Sequence, residues 1–172
     1  IRDTTPNVEP GNPKDDSGLG ADIAAVFLID SNDDIVGRAR AVSYEPANGI
    51  GGGMAAHFDG SKPMLDMSEK CIAGAFDGNT TSLGGEGGSL LVDFVDEMDE
   101  PVQFAQGYDA VVIEWGQQNC GAMGSNDEYD VLACVSQDEQ LNEGDCGTST
   151  IVESAKGYSK IESIDQKIST KN

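Results

Sequence analysis

Oxygen-bearing side chains at two turns have the types and spacing that a hard cation requires. Calcium binds carboxylate, amide and backbone carbonyl oxygens, often supplied at alternating positions of one loop. The candidate ligands are Asp30, Asn32, Asp34, Asp77 and Asn79. The first group departs from the EF-hand pattern, because Ile35 stands where that loop requires glycine. We predict calcium as the cofactor. The alternative is that both groups are solvated turns of an acidic surface.

Nucleophilic catalysis is difficult to assemble from these residues. His57 is the only histidine, so any Ser-His-Asp or Cys-His arrangement would depend on it. The sequence contains no GxSxG, SxxK or phosphate-loop pattern. Carboxylate pairs are too numerous for any one pair to indicate hydrolysis. We therefore expect a protein that is not an enzyme.

Four cysteines without CxxC spacing favour disulfides over a zinc site. They permit three connectivities, which the sequence does not distinguish. We favour Cys134–Cys146, because the residues between them form one polar loop, and this leaves Cys71–Cys120 as the second pair. Closing the shorter loop is worth about 3 kcal/mol on the chain-entropy model.

The predicted location is outside the cell. Disulfides persist in oxidising compartments, and Asn79-Thr80-Thr81 is a glycosylation sequon with Asn79 as its acceptor. The sequence has no apolar run of membrane-spanning length and no lipidation motif. Its start at Ile1 fits a mature secreted product or a piece of a longer chain. We expect a secreted, extracellular or cell-surface protein that does not insert into membranes.

Acidic residues dominate the charge, with 31 Asp and Glu against 10 Lys and Arg, for a net charge of −21. Such a surface repels nucleic acid and anionic lipid, so neither is an expected partner. Three explanations remain open: adaptation to high salt, binding of divalent cations, and solubility outside the cell.

Short apolar runs separated by turn residues predict the elements that carry these groups. The 172 residues suffice for one well-cored domain, and 22 glycines lie mostly between the runs. Asp22–Ile29 is nearly continuous in apolar residues, as in a buried central strand, whereas later runs alternate. A short helix is expected within 61–73. The predicted fold is all-β, a single β-sandwich or jelly roll over 21–168, with an extended N-terminal arm at 1–20 and a tail at 169–172.

Two stretches carry a resemblance to a known class of protein. GAFDGNTTSLGGEGGSLLVDF at 74–94, followed by GYDAVVIEW at 107–115, resembles a pattern found in secreted bacterial and archaeal surface proteins. The similarity extends over about 18–165 and implies a galactose-binding-like or jelly-roll β-sandwich, exported and often anchored at the cell surface. The chain departs from the pattern at Phe76, where proline is usual, and in its cysteines. The pattern has no defined catalytic set, so it assigns no functional residue.

Assembly is the function that these features favour. The Pro- and Gly-rich arm at 1–20 becomes ordered only where its own domain or a neighbouring copy holds it, and a strand from another copy can complete a sheet edge. We predict a non-enzymatic subunit of an extracellular filament, sheath or matrix that self-assembles through strand or arm exchange. The alternative is a calcium-dependent carbohydrate-binding or adhesion module, with a glycan as its partner and Tyr44 or Tyr108 lining the site.

Overall fold

The computed structural model describes residues 1–5, 20–47, 64–66, 71–73, 81–102, 107–114, 127–134 and 149–165. Within these ranges the regular elements are strands, which confirms the prediction of an all-β chain. The strands are β1 (Arg2–Asp3), β2 (Asp22–Ile29), β3 (Ile35–Glu45), β4 (Met64–Asp66), β5 (Cys71–Ala73), β6 (Thr81–Ser82), β7 (Ser89–Val95), β8 (Asp109–Glu114), β9 (Glu128–Cys134), β10 (Ser149–Lys156) and β11 (Tyr158–Ile161).

Eight of these strands form one antiparallel sheet in the order β10-β9-β1-β7-β3-β2-β8-β11, and β6 pairs with the start of β2. The two outermost strands, β10 and β11, are consecutive in the chain and are joined by Gly157 alone. One continuous stretch of chain, bent at Gly157, therefore supplies both edge strands, and the sheet is nearly closed on itself. The order of the described strands does not distinguish a sandwich from other nearly closed sheets, so the sandwich or jelly-roll prediction stays a prediction.

The core lies on both faces of β2 and β8. Alternate residues such as Leu28 and Val112 belong to the main apolar cluster, whereas Phe27 and Val111 belong to a second cluster on the opposite face. This double burial explains why the run of Asp22–Ile29 is nearly continuous in apolar residues, whereas half-exposed strands alternate. The prediction of a buried central strand is confirmed.

The predicted short helix within 61–73 is wrong. Two three-residue strands lie there instead, β4 and β5, paired antiparallel with Leu65 opposite Ile72. Pro63 and Gly74 have the positions of helix boundaries in the sequence. Proline and glycine also bound strands, and the apolar residues between them are too few to establish a helical period.

One of the predicted disulfide cysteines lies at the end of a core strand. Cys134, the last residue of β9, is disulfide-bonded, and its cross-strand partner in the sheet is Ser149. Of the other cysteines, Cys120 and Cys146 lie outside the described residues. For Cys71 the structure describes the backbone, as the first residue of β5, and not the side chain. The pairs Cys134–Cys146 and Cys71–Cys120 therefore stay predictions. Within the described ranges, no helix has the length and apolar character needed to cross a membrane.

Candidate functional site

The N-terminal strand β1 lies inside the sheet, between β7 and β9. On one side, the nitrogen of Ile1 donates to the carbonyl oxygen of Leu90 at 2.8 Å, and the Asp3 N–H donates to the carbonyl oxygen of Gly88 at 2.8 Å. On the other side, the Thr4 N–H donates to the carbonyl oxygen of Glu128 at 2.9 Å. Residues 1–4 thus connect two strands that are not paired with each other.

The Asp3 side chain is the main polar anchor of this strand. It is 1% exposed, and its Oδ1 accepts the N–H of Thr5 at 2.8 Å. Its Oδ2 accepts the N–H of Ala21 at 2.7 Å and that of Gly85 at 3.1 Å. A buried carboxylate is costly unless it is fully hydrogen-bonded, and bonds to a charged acceptor are the stronger ones. The carboxylate therefore joins β1 to the entry of β2 and to the Gly84–Gly88 turn.

Glycines allow the backbone to pack closely at and beside that carboxylate. A Cβ on Gly20 would lie 2.1 Å from Asp3 Oδ2 and 2.4 Å from the Gly85 nitrogen, and a Cβ on Gly88 would lie 1.7 Å from the carbonyl oxygen of Leu83. Neither position accepts a side chain. We call the space bounded by Gly20, Ala21 and Gly85 the carboxylate pocket.

A second polar contact fixes the other end of the N-terminal segment. The Thr5 hydroxyl accepts the N–H of Glu128 at 3.0 Å and lies 3.2 Å from the carbonyl oxygen of the same residue. Thr5 therefore bonds to both backbone groups of the first residue of β9. Asp3 and Thr5 together set the register of the segment against its neighbours.

The bend that joins β10 to β11 is held by two buried side chains. The carbonyl oxygen of Gly157 accepts from the Tyr129 hydroxyl at 3.2 Å and from the Glu114 N–H at 2.9 Å. The Gly157 N–H donates to Glu114 Oε2 at 3.0 Å. Burial raises the pKa of Tyr129, and this effect exceeds the lowering by its hydrogen bond with Ser159. The phenol is therefore neutral at ordinary pH and able to donate.

The first predicted calcium turn is a tight hairpin loop between β2 and β3. Asp30 Oδ1 accepts the N–H of Asn32 at 2.8 Å and that of Asp34 at 3.1 Å, and Asp33 has a φ of 62°. One carboxylate oxygen of the predicted ligand Asp30 thus caps its own loop. Asn32 and Asp34 are exposed beside it.

A second acidic turn after β7 repeats this geometry. Asp96 Oδ1 accepts the N–H of Met98 at 2.8 Å and that of Glu100 at 3.0 Å, and Asp99 has a φ of 63°. Because the same contacts recur, the backbone turn is sufficient to explain the leading aspartate in both places. In the described part of the chain, no three His, Cys, Asp or Glu side chains lie close enough together to hold a metal ion. Asp77 and Asn79 lie outside the described residues, so the calcium and glycosylation predictions stay predictions.

A groove runs along the segment formed by β10, Gly157 and β11. Its volume is about 590 Å³, and it is lined by Asp33, Glu153, Ser154, Ala155, Lys156, Tyr158, Ser159 and Lys160. Lys160 lies 3.3 Å from Asp33 Oδ1 and 3.2 Å from Asp109 Oδ2, so its charge is balanced by carboxylates. Tyr158 is half-buried and packs against the second apolar cluster.

Sequence reasoning missed Asp3 and Thr5. Both lie in a stretch whose composition indicated an arm without specific contacts. The signal that could have found them is the density of glycine at 84–88, because so many residues without a Cβ indicate that another backbone approaches closely. Of the other candidates, Tyr44 and Tyr108 are partly buried against the main cluster. His57 lies outside the described residues. No family model, curated protein or solved structure matches the chain.

Proposed function

We propose that the protein is a secreted, non-enzymatic structural subunit of an extracellular filament, sheath or matrix. In this proposal, Ile1–Thr5 of one copy occupies the space between β7 and β9 of the next copy. The observation that carries the proposal is the position of β1, a two-residue strand bonded on both sides within the sheet. Exchange would preserve every contact of that segment while linking two chains.

The connection to the rest of the chain permits exchange. Asp3 Oδ2 lies 2.7 Å from the nitrogen of Ala21, so residues 6–19 join two points that are close in space. Fully extended, those fourteen residues reach roughly 45 Å, which is enough to place Ile1–Thr5 in a neighbouring domain. The closed and the exchanged forms therefore differ mainly in the path of this connector and in the entropy of association.

Three further parts of the proposal have their own support. The disulfide at Cys134 favours an oxidising compartment and hence secretion. Side chains from seven strands fill the interior of the nearly closed sheet, which favours its description as a packed sandwich. The net charge of −21 makes neighbouring copies repel each other, so we expect calcium or high salt to promote assembly.

Self-assembly is tested on the purified full chain by light scattering and negative-stain microscopy, with calcium and with chelator. Filaments or large oligomers that dissolve in chelator are the expected result. A monodisperse monomer in calcium, in chelator and in high salt would contradict the proposal.

Exchange of the strand is tested by mixing two single variants, Arg2→Cys and Ser89→Cys. These residues are cross-strand partners, and the bonds of Ile1 and Asp3 on either side make them a non-hydrogen-bonded pair, whose Cα atoms are close enough for a disulfide. A disulfide-linked heterodimer forms only if β1 enters the other chain. Ser154→Cys is exposed and is not a partner of β1, so it replaces Ser89→Cys as the matched control.

The alternative function, a carbohydrate-binding or adhesion module, is favoured by the groove along β10 and β11. Its volume of about 590 Å³ lies in the range of small-molecule sites, and it combines the ring of Tyr158 with hydroxyl and charged groups. Ser154→Trp should fill the groove and abolish binding on a glycan array, whereas Ser149→Trp, exposed on the same strand but outside the lining, should not. An array without any binding would exclude this alternative.

A further inference from the structure

We infer that the space between β7 and β9 is a peptide-binding site selective for an extended segment with aspartate two residues before threonine. The occupant is Ile1–Thr5 of a second copy of this chain. This inference rests on the proposed function, since it names what the exchanged strand must carry.

The carboxylate pocket recognises the aspartate by its charge and by its two acceptor oxygens. The two N–H groups that converge on Oδ2, from Ala21 and Gly85, belong to the receiving domain and lie at 2.7 and 3.1 Å. The other oxygen, Oδ1, accepts the N–H of Thr5 within the segment itself. An asparagine would present its NH₂ group to one of these two sets of donors, because it has only one acceptor oxygen.

Pocket size separates aspartate from glutamate. Oδ2 fits because Gly20 has no side chain, since a Cβ there would lie 2.1 Å from that oxygen. On its other side the pocket ends at the backbone of Gly85, whose nitrogen is 3.1 Å from the same oxygen. A carboxylate that is longer by one methylene group would have to displace one of these backbones.

The threonine supplies the register. Its hydroxyl bonds to both backbone groups of Glu128, at 3.0 and 3.2 Å, and its N–H is held by Asp3 Oδ1 at 2.8 Å. The bond between the Thr5 N–H and Asp3 Oδ1 lies within the segment, so it can fix the conformation of Asp3–Thr5 before the segment binds. Preorganisation of this kind lowers the entropy cost of association.

Charge favours this part of the chain as the incoming segment. Residues 1–5 contain one arginine and one aspartate, so their side chains sum to zero in a chain whose net charge is −21. A segment of average composition from this chain would be repelled by a second copy, whereas Ile1–Thr5 is not.

The test uses the full chain with Asp3→Ala, in which the chain's own segment binds weakly, and labelled synthetic peptides with the sequence of residues 1–5. The wild-type peptide should bind, as measured by fluorescence anisotropy, and should raise the midpoint of thermal unfolding. Peptides with Ala, Asn or Glu in place of Asp3 should bind at least tenfold more weakly, because each leaves charge-assisted bonds unmade. Equal binding of the four peptides, or no binding of the wild-type peptide at millimolar concentration, would overturn the inference.

Two arrangements keep this test decisive. If Asp3→Ala prevents folding, the Thr5→Ala chain replaces it, since that chain keeps the carboxylate and loses only the hydroxyl contacts with Glu128. The peptide ranking is also independent of self-assembly. If the chain stays monomeric but binds the wild-type peptide more tightly than the three variants, the proposed filament is refuted and the peptide-binding site is supported. If the chain assembles but binds all four peptides equally, the site is refuted and the filament is supported.

Discussion

The Tyr129 hydroxyl donates to the carbonyl oxygen of Gly157 at 3.2 Å, and this bond joins β9 to the bend between β10 and β11. Gly157 has a φ of 66°, which turns the chain from one end of the sheet to the other. Tyr129 is fully buried, so its hydroxyl has no access to water in the folded protein. The near-closure of the sheet therefore depends on a polar contact inside the apolar core.

Replacing Tyr129 by Phe should lower the free energy of unfolding by about 1–2 kcal/mol. The ring would still fill its space, but the Ser159 hydroxyl and the Gly157 carbonyl would each lose a buried partner. Urea denaturation measures the change. Tyr108→Phe is the matched control, because Tyr108 is only partly buried beside the same cluster; an equal loss in both variants would contradict the role assigned to Tyr129.

Alkaline pH should destabilise the folded chain through the same residue. Because burial raises the pKa of Tyr129 above its ordinary value, its contribution to stability is complete below pH about 10 and is lost as the pH rises beyond it, since the unfolded state then ionises first. Unfolding by urea at pH 9 to 11 measures this slope, which should be shallower in Tyr129→Phe. Tyr44 and Tyr158, whose pKa values burial also raises, contribute to the slope that remains. Lys160 contributes as well, because burial lowers its pKa less than the contacts with Asp109 and Asp33 raise it. Identical slopes in the two proteins would refute the prediction.

Replacing Gly88 by Ala should be among the most destabilising single changes in the described part of the chain. Its Cβ would meet the carbonyl oxygen of Leu83 at 1.7 Å, so the turn that receives β1 would have to move, at a cost of about 3 kcal/mol or more. Gly37→Ala is the control, because its nearest neighbours would be side-chain atoms of Leu28 and Phe94 at 3.5 Å, an ordinary contact. Thermal unfolding of both variants gives the comparison, and equal midpoints would show that the turn adapts freely.

The two acidic turns should respond alike to loss of their caps. Asp30→Ala and Asp96→Ala each remove an acceptor of two backbone N–H groups, so each should cost about 1 kcal/mol at these exposed sites. Asn in either position keeps the acceptor and should be nearly neutral. Unequal effects in the alanine pair would show that one carboxylate has a further role.

Calcium can be tested on the same pair. If the turn at 30–34 binds calcium, the ion should raise the unfolding midpoint of Asp96→Asn as much as that of the wild type, and that of Asp30→Asn less. Equal shifts in all three proteins would exclude this turn as the site.

Periodicity was sufficient to predict the strands that make the core. The nearly continuous run of β2 and the alternation in β9 correspond to the burial observed in the structure. In β7, Leu90 and Phe94 are buried as the alternation predicts, but Val95 is buried as well. These elements are predictable because each depends on its own residues and on which face it buries.

The contacts that hold β1 in the sheet were not predictable in the same way. Asp3 is anchored by Ala21 and Gly85, which are distant in sequence, and only backbone groups bond to it, so no pattern of side-chain types indicates the site. The bend at Gly157 is similar, because a lone glycine between two strands normally predicts a turn within one hairpin. In both cases the tertiary partner determines the role of the residue.

The position of β1 also imposes an order of events during synthesis. Ile1 bonds to Leu90 and Thr5 bonds to Glu128, at sequence separations of 89 and 123 residues. Chains grow from the N-terminus, so Ile1–Thr5 is synthesised before the strands β7 and β9 that hold it and is among the last segments that can find its place. Contacts this distant form slowly, because a long loop must close first. Each newly made chain therefore passes through a period in which β7 and β9 are formed or forming and its own β1 is not yet bound between them.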